Sequence, residues 1–282
     1  MERRACARGL ALCRRAASTA AVVAEAVRVK RPTERFTGRV DNYARYRPSY
    51  PSAAIDLLEA RCGLSPSAVV ADIGSGTGIL SALLLARAAQ VIGVEPNEGM
   101  RAAAEARLGA QARFRSVNGT AEATTLPAAS VDLLVVGQAF HWFDGEKARR
   151  EALRVLKPHH FAALLWNERP QELTPFLADY EALLRRHAPE YVEIVARRAD
   201  VPSMRRFFGG AMELETFPNQ QTFDFDGLVG RLRSTSYAPE PGDAHYHPLM
   251  AGLRAVFDRH EQAGRVVFPY RTLVYFGPLQ PG

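Results

Sequence analysis

The sequence predicts an α/β fold organised on a mostly parallel sheet, and three observations predict it. Residues 69–73, Val-Val-Ala-Asp-Ile, form a short apolar run of the kind buried in a parallel strand. Glycines follow at every second position, Gly74, Gly76 and Gly78, and residues 79–87 then read as an apolar helix. A second stretch, residues 90–97, reads as another buried strand ending in the carboxylate of Glu95 and completes a strand–helix–strand unit. In open sheets of this kind ligands sit at the carboxyl ends of the strands, where the glycine loop and Glu95 fall.

The glycine spacing narrows the ligand. A dinucleotide loop needs Gly-x-Gly-x-x-Gly or -Ala. Here the order is Gly-x-Gly-x-Gly, and Ile79 stands where the third small residue would be. With Asp72 two residues ahead of Gly74, the stretch resembles motif I of the class I S-adenosylmethionine-dependent methyltransferases. A turn that binds nothing is the alternative, and the matching second half of the unit weighs against it. The resemblance implies a Rossmann-like sheet of seven strands with helices on both faces and S-adenosyl-L-methionine as cofactor. It places Asp72, Gly74, Gly76 and Gly78 around the methionine end.

The interval from Gly76 to Glu95 is close to the ~20 residues at which an acid reaches a ribose diol. A carboxylate can accept from both hydroxyls at once. Glu95 is also placed to cap the next helix, since acids favour helix starts. One turn on, Met100 covers the adenine face by resemblance, or is ordinary core.

Length and composition bound the rest. The 282 residues allow one large α/β domain or two small ones, and the hydrophobic share of 47% is that of a globular protein. No apolar run is long enough to span a membrane. Cys6, Cys13 and Cys62 are odd in number and lack metal spacing, so the expectation is a reducing, cytoplasmic compartment and no metal site. Residues 1–35 hold nine Lys/Arg and three acids, and residues 36–282 hold 27 of each sign. The whole excess of +6 therefore lies in the first 35 residues. A neutral body argues against nucleic acid as a partner, which needs many Lys/Arg on one face. The tail is rich in Arg and Ala, as in an organelle transit peptide. An unstructured extension is the favoured reading, with residues 36–282 as the domain.

Residues 36–51 are dense in Tyr and Arg and broken by Pro48 and Pro51, so they read as a surface strap leading into a helix over 52–60. Tyr43 through Pro51 closely resembles the Tyr-x-x-x-Arg-Pro-x-Tyr-Pro entry segment of the type 11-like, trans-aconitate methyltransferase-like small-molecule enzymes. That resemblance implies a segment folded over the cofactor mouth, with Arg47 on the methionine carboxylate and Tyr43 as a wall.

Residues 113–118 read as the third strand. By resemblance the Ala121 backbone N–H meets an adenine nitrogen, whereas Thr120 stands where many relatives have Asp. Residues 131–136 read as the fourth strand, and Gln138-Ala-Phe-His141-Trp142-Phe143 after it is a second match to the family. It implies Gln138 beside the cofactor and His141 near the acceptor. Histidines ordinarily titrate near pH ~6.5, which suits a base, but a histidine that only holds the loop is an equal reading. A helix over 145–155 follows. His159 and His160 read as a turn before a fifth strand over 161–167.

Beyond Glu168 helices are expected over 173–187, 191–198, 225–234 and 248–263. Residues 207–210 read as a turn, 212–217 and 221–225 as extended, and 266–276 as an alternating strand. Two late strands then complete seven, with an antiparallel hairpin edge. Residues 36–169 form the cofactor core, and helices within 170–282 roof the acceptor pocket. Residues 234–242, resembling the family's Ser-x-Ser-Tyr-x-Pro loop, line that pocket or merely link two helices. The expected function is methyl transfer to a small-molecule acceptor, by a monomer or homodimer. The alternatives are a cofactor-binding protein without chemistry and a nicotinamide oxidoreductase, which Ile79 disfavours.

Overall fold

The computed structural model describes residues 39–196 and 201–280, and the tail expected to be unstructured lies outside them. Seven strands form one sheet: β1 (Val69–Ile73), β2 (Gln90–Val94), β3 (Phe114–Val117), β4 (Val131–Gly137), β5 (Leu156–Glu168), β6 (Glu213–Phe223) and β7 (Val266–Pro278). Their order is β3-β2-β1-β4-β5-β7-β6. The first five are parallel, and β7 runs antiparallel between β5 and β6. Asp72 pairs with Gly93 on one side and Val135 on the other. The chain therefore leaves β1, β2 and β4 at one level, and the strand order reverses between β1 and β4. That is the crevice where such sheets bind ligands.

Apolar side chains cover both faces. One face carries Ile73, Ile92, Leu134 and Val136 under α5 (Gly145–Val155) and α8 (Val201–Phe208). The other carries Val70, Val91, Leu133 and Val135 under α2 (Ser52–Arg61) and α3 (Ile79–Leu84). Buried on both faces, the central strands read as continuous apolar runs. A third cluster joins α6 (Pro175–His187), α7 (Tyr191–Ala196), α9 (Phe225–Arg233) and α10 (Tyr246–His260) around Tyr180, Leu228, Leu253 and Phe268. Helix α4 (Glu98–Leu108) follows β2, and α1 (Val40–Tyr46) precedes α2.

The structure departs from sequence expectation at four places. The strap contains α1, which has no buried residue to mark it as a helix. Residues 201–208 are helical before the expected turn; Pro202 stands in the first turn, where its missing N–H costs nothing. Met204, Phe207 and Phe208 turn α8 onto the sheet face, so it does not belong to the roof. Residues 213–223 form one strand rather than two segments. Pro218 sits inside it because β6 is the edge strand and pairs only with β7. The last two strands pair antiparallel at the edge and are joined through α9 and α10, in line with the helices expected between them. Finally, the backbone of His159 and His160 is strand, in a stretch of β5 where the register against β4 shifts.

Candidate functional site

The loop after β1 is fastened to the end of β2. Gly74 and Ser75 donate their N–H groups to Val94 O at 2.8 and 3.2 Å. Gly74, Gly76 and Gly78 all have positive φ, which favours glycine. A Cβ on Gly74 would lie 2.6 Å from that of Ala139, so this position brings the β1 and β4 loops together. A Cβ on Gly78 would strike Leu108 of α4 at 2.8 Å. Gly78 thus packs α3 on α4 and does not line the cleft.

Glu95 is held at both oxygens. Gly76 N donates to Oε2 at 3.0 Å and Asn97 N to Oε1 at 2.9 Å. The capping alternative is excluded, because Asn97 caps α4 through Met100 N at 2.9 Å. Glu95 is only 9% exposed, and burial raises its pKa against those two bonds. Asp72, at the end of β1, is buried; its Oδ2 accepts from Ser81 Oγ at 2.6 Å. Its Oδ1 has no hydrogen-bond partner among the described residues. Burial pushes the Asp72 carboxyl up to about 7, with the Glu95 charge adding and the Ser81 bond opposing.

These groups border two adjoining cavities. The first, of about 840 Å³, is lined by Glu95, Asn97 and Met100 on one side and by Gln138, His141, Trp142 and Phe143 on the other. Ser236 of the 234–242 loop also lines it. The second, of about 570 Å³, holds Asp72, Ser75, Thr77, Tyr50, Asn167 and Arg231. Tyr43, Arg47, Gly74, Gly76 and Gln138 line both. Ala121 is buried beside them and lines neither, and Thr120 is exposed.

The strap closes over this junction. The Arg47 guanidinium lies over the Tyr43 ring, 4.7 Å from its centroid, and donates to Ser234 O at 2.9 Å. Arg39 reaches Glu240 and the carbonyls of Thr235 and Ala238. On the opposite wall Gln138 holds φ at 61°, costly for a residue with a side chain. Its N–H donates to Leu165 O at 2.9 Å and its Nε2 to Asn167 O at 3.3 Å. His141 sits on a 3-10 turn, Phe140–Trp142, with its ring centroid 4.5 Å from that of Trp142. Phe140 anchors the turn against Phe143, Trp166 and Phe207.

Several lining residues escape the sequence reading, among them Tyr50, Thr77, Asn97, Asn167 and Arg231. Arg231 had a legible signal, since it stands three residues after buried Leu228 on the apolar stripe of α9. Asn167 is a polar residue at the carboxyl end of a buried strand, the place where ligands meet such sheets.

Among the described residues no three His, Cys, Asp or Glu gather to hold a metal. No helix there is long and apolar enough to cross a membrane.

A methyltransferase-domain family matches residues 71–164, from β1 to β5. An uncharacterized methyltransferase of Schizosaccharomyces pombe is 30% identical over 251 residues, covering 87% of this chain and 97% of that protein. An uncharacterized methyltransferase of Mycobacterium tuberculosis is 39% identical over 140 residues, 49% of this chain. The match spans 54% of that protein, so the chain covers about half the length of its mycobacterial relatives. A solved candidate type II methyltransferase of Anaeromyxobacter dehalogenans shares the fold, with TM-score 0.59 and 24% identity over 84% of this chain and all of that one.

Proposed function

Because this chain belongs to the class I S-adenosylmethionine-dependent methyltransferases, we propose that it transfers a methyl group from S-adenosylmethionine to a small-molecule acceptor. The observation that carries the reading is Asp72, a buried carboxylate with one oxygen on Ser81 and the other without a partner. A buried unpaired acceptor calls for a cation or donor, and an amino-acid ammonium fits it. Glu95, fixed beyond the Gly76 N–H, suits a ribose diol. The two acids, one glycine loop apart, match a ligand with an amino-acid end and a nucleoside end.

Bound S-adenosylmethionine supplies a methyl group already electrophilic on its sulfonium. The chain's part is binding and alignment. Arg47 presents a guanidinium fork for the methionine carboxylate, and Tyr43 walls it in. Gly74 and Gly76 let the backbone come close. Met100 offers an apolar adenine surface, and Ala121 contributes only through its backbone N–H. Gln138 and His141, across the cleft from Glu95, border the acceptor side. Residues 36–169 hold the cofactor, and the roof within 170–282 selects the acceptor. The cysteine usage fits a cytoplasmic protein, acting as monomer or homodimer.

A ligand that binds the folded state raises the melting temperature by mass action. S-adenosylhomocysteine should raise that of the full chain and NAD should not. A shift with NAD alone would turn the reading toward a nicotinamide enzyme.

A further inference from the structure

The cavity of about 570 Å³ around Asp72 carries charge that does not balance. Its charged lining residues are Asp72, Arg47 and Arg231, one acid against two guanidiniums. They come from three separate places: β1, the strap, and helix α9 of the roof. Burial pushes the Asp72 carboxyl up to about 7, so near neutral pH it offsets even less of the positive charge.

Arg231 is 8% exposed. Its Nε donates to Tyr270 OH at 2.8 Å, and its Nη1 reaches Ser234 Oγ only at 3.5 Å. Tyr270 in turn donates to Gln221 Oε1 at 3.0 Å, so the guanidinium is fixed in direction. The Phe268 and Tyr270 rings lie 5.5 and 5.7 Å from its Cζ, but no carboxylate pairs with it among the described residues. A buried charge is costly unless it is paired and hydrogen-bonded.

Arg47 converges on the same residue. Its Nη2 donates to Ser234 O at 2.9 Å, and Ser234 Oγ donates back to Arg231 O at 2.7 Å. Two like charges thus meet at a fully buried serine, and an anion between them would offset their repulsion. Asp72, whose Oδ1 has no partner among the described residues, lines the same cavity. The complement of one acid oxygen and two guanidiniums is a zwitterion with one ammonium and one carboxylate.

Resting on the methyl-transfer reading, we propose that Arg231 is a cofactor-specificity residue. From the roof it joins Arg47 of the strap in bracketing the carboxylate of the cofactor's amino-acid end. The cleft then selects adenosyl thioethers that carry this carboxylate over those that lack it. A guanidinium can meet a carboxylate with two parallel N–H···O bonds, and two guanidiniums can share its two oxygens.

Calorimetry on the full chain tests this with S-adenosylhomocysteine, its decarboxylated amine analogue, and 5′-methylthioadenosine, which lacks the amino-acid end. The unmodified protein should prefer S-adenosylhomocysteine to the amine by about a hundredfold or more, the scale of two charge-assisted contacts. Arg231→Met should cut that preference by about tenfold or more. The amine should bind the variant as well as before or better, because a like charge has gone, and 5′-methylthioadenosine should bind within about threefold. If Arg231→Met does not fold, Arg231→Lys carries the test: the charge stays and the fork goes, so the preference falls several-fold while the amine's affinity is kept. A preference untouched by the substitution overturns the proposal. So does a variant that loses all three ligands alike, which would mark Arg231 as a structural support of α9. A protein that binds S-adenosylhomocysteine and the amine equally keeps the methyl-transfer reading and sinks the proposal; one that binds none of the three sinks the reading itself, and the proposal with it.

Discussion

The Gly76 N–H donates to Glu95 Oε2 at 3.0 Å, tying the loop after β1 to the acid after β2. The bond sets the orientation of the carboxylate, and Asn97 N fixes its other oxygen. Each oxygen keeps a lone pair for a ligand hydroxyl. Glu95→Ala should therefore weaken S-adenosylhomocysteine binding more than tenfold, since hydrogen bonds to charged groups contribute about 1.5–3 kcal/mol each. Unchanged affinity by calorimetry would remove Glu95 from the site.

Asp72 gives the protein a pH signature. Its carboxyl is raised to about 7 in the fold, by burial first, against ~3.9 in an unfolded chain. Between those values the folded state holds a proton that the unfolded state has lost. The stabilisation is fully present below the unfolded value and fades as the pH climbs through about 7. Asp72→Asn should flatten that fall in melting temperature. An ammonium favours the ionised carboxylate, so S-adenosylhomocysteine should bind about tenfold tighter at pH 8 than at pH 6, and the variant should lose the dependence. Identical pH profiles would contradict this role.

Gly230 of α9 is where the strap rests, because a Cβ there would run into the Tyr46 ring of α1. Gln221 Nε2 also donates to Tyr46 O at 3.3 Å. Gly230→Ala should lift α1 and with it Tyr43 and Arg47. We expect S-adenosylhomocysteine affinity to fall several-fold, on the scale of about 1 kcal/mol, while the far-ultraviolet spectrum stays that of the folded sheet. Full affinity in the variant would show that the strap does not close the cleft.

The sequence carried the centre of this fold better than its margins. The spans of β1 and α5 are legible to the residue, because buried runs and a strongly amphipathic helix leave patterns. Helix α1 left none: its seven residues include no buried one, and tertiary contacts to α9 and β6 hold it. The turn expected at residues 207–210 was half right. Gly209 and Gly210 do turn with positive φ, but Phe207 and Phe208 end a helix. The strand-end positions of Asp72 and Glu95 were readable because a short apolar run closed by a carboxylate is local information. Arg231 was passed over although its place on the apolar stripe of α9 was readable, because its approach to the cleft depends on how α9 packs in space.

His141 faces the first cavity from a turn anchored by Phe140. Its neighbours there, Trp142 and Phe143, are rings without acid–base chemistry. His141→Ala should lower turnover more than it lowers S-adenosylhomocysteine affinity. A general base contributes about 10²–10⁴-fold, and the activity of the unmodified enzyme should then fall as the imidazole protonates. The variant should lose that limb. Equal turnover with the same pH profile would leave alignment alone as the mechanism.

Turnover tests the central claim most directly. Full-length protein is incubated with S-adenosylmethionine and a panel of small carboxylic acids, amides, phenols and amines, and products are read by mass spectrometry. The account predicts S-adenosylhomocysteine formed in step with an acceptor one methyl group heavier, and less of both with Glu95→Ala. S-adenosylhomocysteine that binds tightly while no acceptor in the panel gains a methyl above background would contradict it, and would leave a protein that binds the nucleoside without chemistry.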